Sequence, residues 1–488
     1  MSQNLKEQSI NSFIWKSAQS LCTLGMTFVI QLILARILLP EDFGIVAITT
    51  VFMTLANTII DTSFSSAVIQ RNTLDQKLIS SIFYANLVLS VFVYFVLFFT
   101  APVISVFYQE PILVTIIRIQ GLKVIFSGIY SIPQAFLNRK MKFKTLFVCS
   151  LIGTIGQAVI GISMAMSGAG IWALVISTLA SSIIAGGAII IMEPWRPSLF
   201  FSFKMVKKAL SFSSKVLIIR VLRKLFYNVR VLAIGKVYDT QILGFFNKGF
   251  QFPSTAMTVV DGSLTSVAFS SLSKLQNNTS KLLASLRQYV RISMFICTPL
   301  MIGMAFVAEP MVLVLLTDKW EGCIPYLQII CITQLFLPLN VKTTAFEALG
   351  ESGISMKLHV SGILLSIIFL LLCIPFSPLV MTLSGCVSNL VLHIAVAVVS
   401  FKKLNYKMSD QIKDALCGGI PTLFMILVLI LLNYLNCHIL LKLCMQIFSG
   451  VMVYVIISYI TKNQVFYTIY GIIKSKLFKR KNENCKTN

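Results

Sequence analysis

Fourteen stretches of this chain are long and apolar enough to cross a hydrocarbon layer, and little lies between them. They run near 14–35, 44–66, 80–106, 112–136, 146–166, 170–192, 211–234, 242–270, 289–314, 322–346, 355–374, 379–400, 415–434 and 439–460. A helix needs about 20 apolar residues to span a bilayer core of roughly 30 Å. Composition agrees: 57% of the 488 residues are hydrophobic and 12% are charged, with a mean hydropathy of +0.86. The expected fold class is an all-α polytopic membrane protein of about fourteen transmembrane helices. The connections are too short to hold a soluble catalytic domain. Residues 1–11 are polar and run straight into a full-length span, so no cleavable signal peptide is expected.

The net charge of +24 invites a nucleic-acid reading, but its distribution argues against one. With a cytoplasmic N-terminus and alternating spans, most Lys and Arg fall in cytoplasmic loops and tails. Only Arg36, Lys236, Lys319 and Lys442 fall on the opposite side. That asymmetry is the positive-inside pattern, and it places both termini in the cytoplasm. The basic runs 139–144, 204–208 and 479–481 read as topology signals that also touch anionic membrane lipids. The eleven cysteines include no CxxC pair, and His359, His393 and His438 are far apart. Neither pattern suggests a metal or a disulfide framework. Trp15, Trp172, Trp195 and Trp320 fall near span ends and read as interfacial anchors.

The seventh stretch breaks the pattern. It carries Lys215, Arg220, Arg223, Lys224 and Arg230. The last four share one helical face, while Leu217, Ile218, Val221, Leu222, Leu225, Val229 and Leu232 keep the rest apolar. One cation at the bilayer centre costs about 2.5–3.5 kcal/mol on insertion scales, so four facing lipid would cost on the order of 10 kcal/mol. The stripe must therefore face water, partner charges, or an anion the protein handles. The matching first helix presents Lys16, Ser20, Thr23, Thr27 and Gln31 along one face, a milder polar stripe.

The two halves of the chain resemble each other. Residues 61–66 align with 261–266 at an offset of 200, and so does Gly44 with Gly244. Ser12-Phe13 and Lys16 match Ser211-Phe212 and Lys215 at 199. Pro102 matches Pro310 at 208, and Ala135-Phe136 matches Ala345-Phe346 at 210. A slow one-way drift is what a few insertions after duplication would leave. Six spans per half make the repeat parallel. The expected domains are a six-helix lobe over 1–200, a second over 201–408, two extra helices over 409–462, and a basic cytoplasmic tail over 463–488. Transporters built this way place their path in a central cavity flanked by the repeats.

Particular runs carry a family resemblance. They are residues 31–47 (Gln31 to Ala47, with Pro40-Glu41-Asp42-Phe43-Gly44), 107–111, 170–175, Trp195-Arg196-Pro197, 243–248, Ala308-Glu309-Pro310, 316–320 and 325–329. Together they resemble the Wzx-type, colanic-acid-exporter-like flippases of the multidrug/oligosaccharidyl-lipid/polysaccharide exporter superfamily. The resemblance covers about residues 10–415. It implies a multi-pass protein of the bacterial inner membrane. It implies transport of an undecaprenyl-diphosphate-linked oligosaccharide from the cytoplasmic to the periplasmic leaflet by alternating access. It also implies a polysaccharide polymerase and a chain-length regulator as partners, and no enzymatic activity.

A diphosphate needs several fixed cations, and the planar fork of Arg grips two phosphate oxygens at once. The candidate headgroup residues are therefore Arg220, Arg223, Lys224 and Arg230, with Arg118, Lys123, Lys16 and Lys248 as further cations inside spans. Lys342 is a weaker candidate. The competing reading is ion pairing within the bundle: Arg118 or Lys123 with Glu110, Lys248 or Lys16 with Asp61 or Asp261. Asp61 and Asp261 are carboxylates at matched positions inside spans. They read either as sites for a coupling H⁺ or Na⁺ or as steadying salt bridges. No other cofactor or metal is expected. Two alternatives compete with a lipid-linked-oligosaccharide flippase. A cation-coupled multidrug antiporter would want carboxylates in its cavity, whereas embedded cations dominate here. A membrane-embedded polysaccharide polymerase would want clustered acids or a large loop, and neither is visible.

Overall fold

Prolines, capping side chains and left-handed residues cut this apolar chain into helices. The computed structural model describes residues 3–63, 75–435, 437–471 and 474, with side chains at all of these except 3–14, 62–63, 208–216, 261–263 and 265–266. Among the described residues there is no β-strand. The first helices are α1 (Gln3–Ile37), α2 (Pro40–Ser63), α3 (Gln76–Tyr108), α4 (Ile112–Arg139), α5 (Phe143–Met166) and α6 (Trp172–Met192). Next come α7 (Phe203–Val237), α8 (Thr240–Ser273), α9 (Thr279–Phe306) and the short α10 (Ala308–Leu315). Then follow α11 (Ile324–Gln334), α12 (Val341–Ala348), α13 (Ser352–Cys373), α14 (Pro378–Leu404), α15 (Met408–Ala415), α16 (Gly419–Asn433) and α17 (Ile439–Ile460).

Local chemistry explains the boundaries. Asp75 caps α3 by accepting from the Lys77 N–H, Asn278 caps α9 through Lys281, and Ser377 precedes Pro378 at the start of α14. Gln109 and Asn405 end α3 and α14 in the left-handed conformation. The expected continuous ninth and tenth spans are broken. Pro310 has no N–H to offer Phe306, where α9 stops, and Pro338 has none for Gln334, where α11 stops. The thirteenth span likewise starts earlier than expected, at Met408, and turns between α15 and α16.

Twelve stretches among the described residues qualify as spans by length and apolarity. They correspond to the expected stretches other than the seventh and eighth. At 35 and 34 residues, α7 and α8 are long enough, but α7 carries more charge than an ordinary span. The protein is thus an all-α multi-pass membrane protein.

Two compact units divide the chain, Met1–Asn247 and Lys248–Asn488. In the first, α3 packs on α4 through Asn86, whose amide donates to Ser131 Oγ at 2.7 Å and Gly128 O at 3.3 Å. Small residues bring α5 and α6 together, with Gly153 against Ser181 and Ala185. Helix α7 packs on α2 and α3, so it belongs to this unit; the duplication register at 200 is a separate division.

The first turns of α2 and α8 meet at a reciprocal contact. A Cβ on Gly44 would lie 1.8 Å from Thr240 O, and one on Gly244 would lie 2.0 Å from Pro40 O. Position 44 meets 240, and 244 meets 40. A duplicated pair exchanged by a local two-fold gives this pattern, at the same offset of 200 that aligns the sequences. Only glycine allows backbones so close.

In the second unit, α15 is clamped to α9. The Asp414 carboxylate accepts from Arg287 Nε at 2.8 Å, Arg291 Nε at 2.5 Å and the Tyr406 hydroxyl at 2.6 Å. Asp410 accepts from Arg287 Nη1 at 3.2 Å. Burial, then the bond to Asp414, hold the Tyr406 phenol above its ordinary range, so it stays a donor. Helices α16 and α17 pack on each other and on α9, where the Tyr454 hydroxyl donates to Phe295 O at 2.7 Å. The extra helices are thus built into this unit.

Candidate functional site

Helix α7 holds its cations in the part that packs least. From Ile218 to Tyr227 most side chains are exposed, including Arg220, Arg223 and Lys224. The following turns are anchored: the Tyr108 hydroxyl donates to Leu232 O at 3.4 Å, Lys236 Nζ donates to Phe107 O at 2.5 Å, and Gly235 packs against Ile48 and Leu243. The helix is also held at its start, where Val206 packs against Leu78, Ile79 and Ile132, and it presents its cations between the two anchors. Arg230 is half-buried near the C-terminal anchor. The side chain of Lys215 lies outside the described residues.

Ion pairs bear on the two readings of the stripe. Five N–O pairs of opposite charge occur among the described residues: Lys140–Glu193, Arg287–Asp410, Arg287–Asp414, Arg291–Asp414 and Lys403–Glu351. None involves Arg220, Arg223 or Lys224. The sequences of α7 and α3 contain no carboxylate at all. Three exposed cations on one face, without an acidic neighbour on their own helix, have the charge an anion would need. Their guanidinium groups can each take two oxygens of a phosphate.

Tyr227 joins this face, three and four residues beyond Lys224 and Arg223, and is 66% exposed. Its ring and hydroxyl add a surface for a sugar or a phosphate ester. The i+3/i+4/i+7 spacing from Arg220 already puts Tyr227 on the cationic face. Among the exposed apolar neighbours are Ile218, Ile219 and Leu222, so one stretch offers both charged and hydrocarbon contacts.

The remaining candidates scatter. Arg118 lies over the Phe98 ring, 4.0 Å from its centroid, and its Nε donates to Phe98 O at 3.5 Å; it stacks on α3 rather than pairing with Glu110. Asp61, at the end of α2, faces Ser127 and Lys123 of α4. Within its own unit the cation it faces is Lys123 rather than Lys16. Lys16 is exposed on α1, donates to Gln19 Oε1 at 3.4 Å and sits over the Phe143 ring. Lys248 is 1% exposed, donates to Gln251 Oε1 at 3.1 Å and sits 5.7 Å from the Trp320 ring centroid. It is buried where an open cavity wall was expected, and Trp320 is a buried core residue rather than an interfacial anchor. Lys342, also buried, donates to Gln411 Oε1 at 2.8 Å and ties α12 to α15. The side chain of Asp261 lies outside the described residues. Among those described, no three His, Cys, Asp or Glu side chains group as metal ligands would.

Fold and site together define a multi-pass helical membrane protein whose seventh long helix displays an unneutralised cationic face. The chain belongs to the polysaccharide biosynthesis protein family, whose profile matches residues 33–325. It is 22% identical over 366 residues to the teichuronic acid biosynthesis protein TuaB of Bacillus subtilis (strain 168), covering 74% of this chain and 75% of that one. It is 23% identical over 341 residues to the succinoglycan biosynthesis transport protein ExoT of Rhizobium meliloti (strain 1021), covering 70% and 69%. Its fold is similar to that of the lipid II flippase MurJ in an inward closed conformation, with a TM-score of 0.74, 18% identity, and 93% of this chain and 99% of that one covered. The family match spans the motifs at 33–47 and 243–248 that carried the resemblance.

Proposed function

We propose that this protein is a flippase for a lipid-linked oligosaccharide. It would carry an undecaprenyl-diphosphate-linked polysaccharide repeat unit from the cytoplasmic to the periplasmic leaflet of a bacterial inner membrane. The observation that carries the reading is the exposed, carboxylate-free row Arg220, Arg223 and Lys224. A diphosphate crossing a bilayer must exchange its hydration for fixed cations. Arg220 and Arg223 grip the phosphates, Lys224 adds a point charge, and Tyr227 lies against the first sugar. Arg230 takes part after the headgroup has moved along the helix. Support comes from the family itself, from relatives named for teichuronic acid and succinoglycan biosynthesis, and from the MurJ-like fold.

Asp61, with Lys123 and Ser127 around it, is the coupling site in this reading, taking up H⁺ or Na⁺. The cation-drug antiporter reading is weaker because α7 displays cations where a cationic drug would want carboxylates.

The test is flipping of a defined diphosphate-linked glycan by the purified protein in proteoliposomes. Arg220→Ala/Arg223→Ala should insert and fold yet lose transport by at least about a hundredfold, from two charge-assisted contacts of roughly 1.5–3 kcal/mol each. Wild-type flipping by the double variant would refute the assignment.

A further inference from the structure

The second unit contains a cavity of about 430 Å³ at one end of α9, a size ordinary for small-ligand sites. One wall is a single face of α9: Ala284, Arg287, Gln288, Arg291 and Ile292. The other is the helical segment 464–471, through Gln464, Val465 and Thr468.

Its polar groups are arranged for a ligand. Arg287 commits Nε, Nη1 and Nη2 to Asp410 and Asp414. Arg291 commits only Nε, to Asp414. That bond fixes the guanidinium plane and leaves its two terminal nitrogens, a planar fork, for the cavity. The amides of Gln288 and Gln464 also line the space and make no hydrogen bond among the described residues. Ile292 and the buried Val465 supply an apolar floor.

Charge and position narrow the ligand. Arg287 and Arg291 are balanced by Asp410 and Asp414, so the site offers fork geometry with little net charge and does not suit a polyanion. Gln464 lies four residues beyond the end of α17, which sets the cavity at headgroup depth. Tyr459, Phe466, Tyr467 and Tyr470 form a cluster of ring contacts beside it, with Tyr459, Tyr467 and Tyr470 exposed. Such aromatics mark the membrane interface.

We propose that this cavity binds the phosphodiester headgroup of a resident glycerophospholipid. Arg291 takes the phosphate oxygens, Gln288 and Gln464 take headgroup or ester oxygens, and the glycerol lies on Ile292 and Val465. The site shares no residue with the α7 cations and does not depend on the flippase reading.

The experiment is native mass spectrometry and thermal melting of the full chain in detergent, titrated separately with phosphatidylglycerol and with inorganic phosphate. Wild type should retain one phosphatidylglycerol most tightly and gain thermal stability from it, and inorganic phosphate should do neither. Arg291→Leu should weaken that binding about tenfold. Because Arg291 also holds Asp414, Gln288→Leu/Gln464→Leu, which leaves the clamp intact, should weaken it several-fold. Unchanged lipid retention in the glutamine pair variant would overturn the proposal. So would equal stabilisation by inorganic phosphate, which would make the site one for a free anion.

Discussion

Replacing Gly44 with alanine probes the reciprocal contact of α2 and α8. The new Cβ would sit 1.8 Å from Thr240 O, where ordinary contact starts at 3.4 Å, so the two turns must part by about 1.6 Å. Gly244→Ala demands about 1.4 Å, from 2.0 Å to the same limit. Both obstacles are backbone carbonyls, which cannot swing aside as a side chain would. Forced overpacking of this kind costs about 1–3 kcal/mol. The two substitutions open the same seam, so the second should cost less once the first has parted it. Non-additivity of about 0.5 kcal/mol or more follows for neighbours that share a displacement. The assay is equilibrium unfolding in mixed micelles of wild type, both single variants and the double. Single variants within 0.5 kcal/mol of wild type, or strictly additive losses, would refute the claim that this close approach is real and shared.

Three further outcomes are expected. Asp414→Asn removes the carboxylate that accepts from Arg287, Arg291 and Tyr406 while its side chain is 1% exposed. Breaking such a buried network costs about 3–5 kcal/mol, read as a lower melting temperature and faster proteolysis at residues 416–418; an unchanged melting curve counts against the clamp. Arg118→Lys loses the planar stack on Phe98, about 0.5–2 kcal/mol, and should leave glycan affinity untouched; weakened glycan binding would return Arg118 to the transport path. If Asp61 couples transport to an ion gradient, Asp61→Asn should abolish ionophore sensitivity of flipping while Lys123→Met shifts its pH range, and retained sensitivity in Asp61→Asn would remove that role.

Much of this protein is legible residue by residue. Apolar length alone specified where the chain crosses the membrane, because unpaired backbone groups are intolerable in hydrocarbon and force helices. Twelve of the expected stretches reappear among the described residues, and α7 stands out for the cations that made it conspicuous in the first place. The matched glycines 44 and 244, which suggested a duplication, meet reciprocally at the same offset. The breaks at Pro310 and Pro338 were readable in principle, since proline removes a known hydrogen bond four residues upstream, but hydropathy averaged across them.

Partner choice was decided by the tertiary structure. Spacing put Arg220, Arg223 and Lys224 on one face, yet only the tertiary structure showed that no ion pair among the described residues reaches them. The same residue types met different fates elsewhere: Lys248 was buried over Trp320, Lys342 was drawn to Gln411, and Arg118 stacked on Phe98. Asp414 lies 123 residues from Arg291 in the chain. A cation's cost in a membrane depends on what lies within a few ångströms of it, and helical periodicity reports the direction a side chain points but not what it meets there.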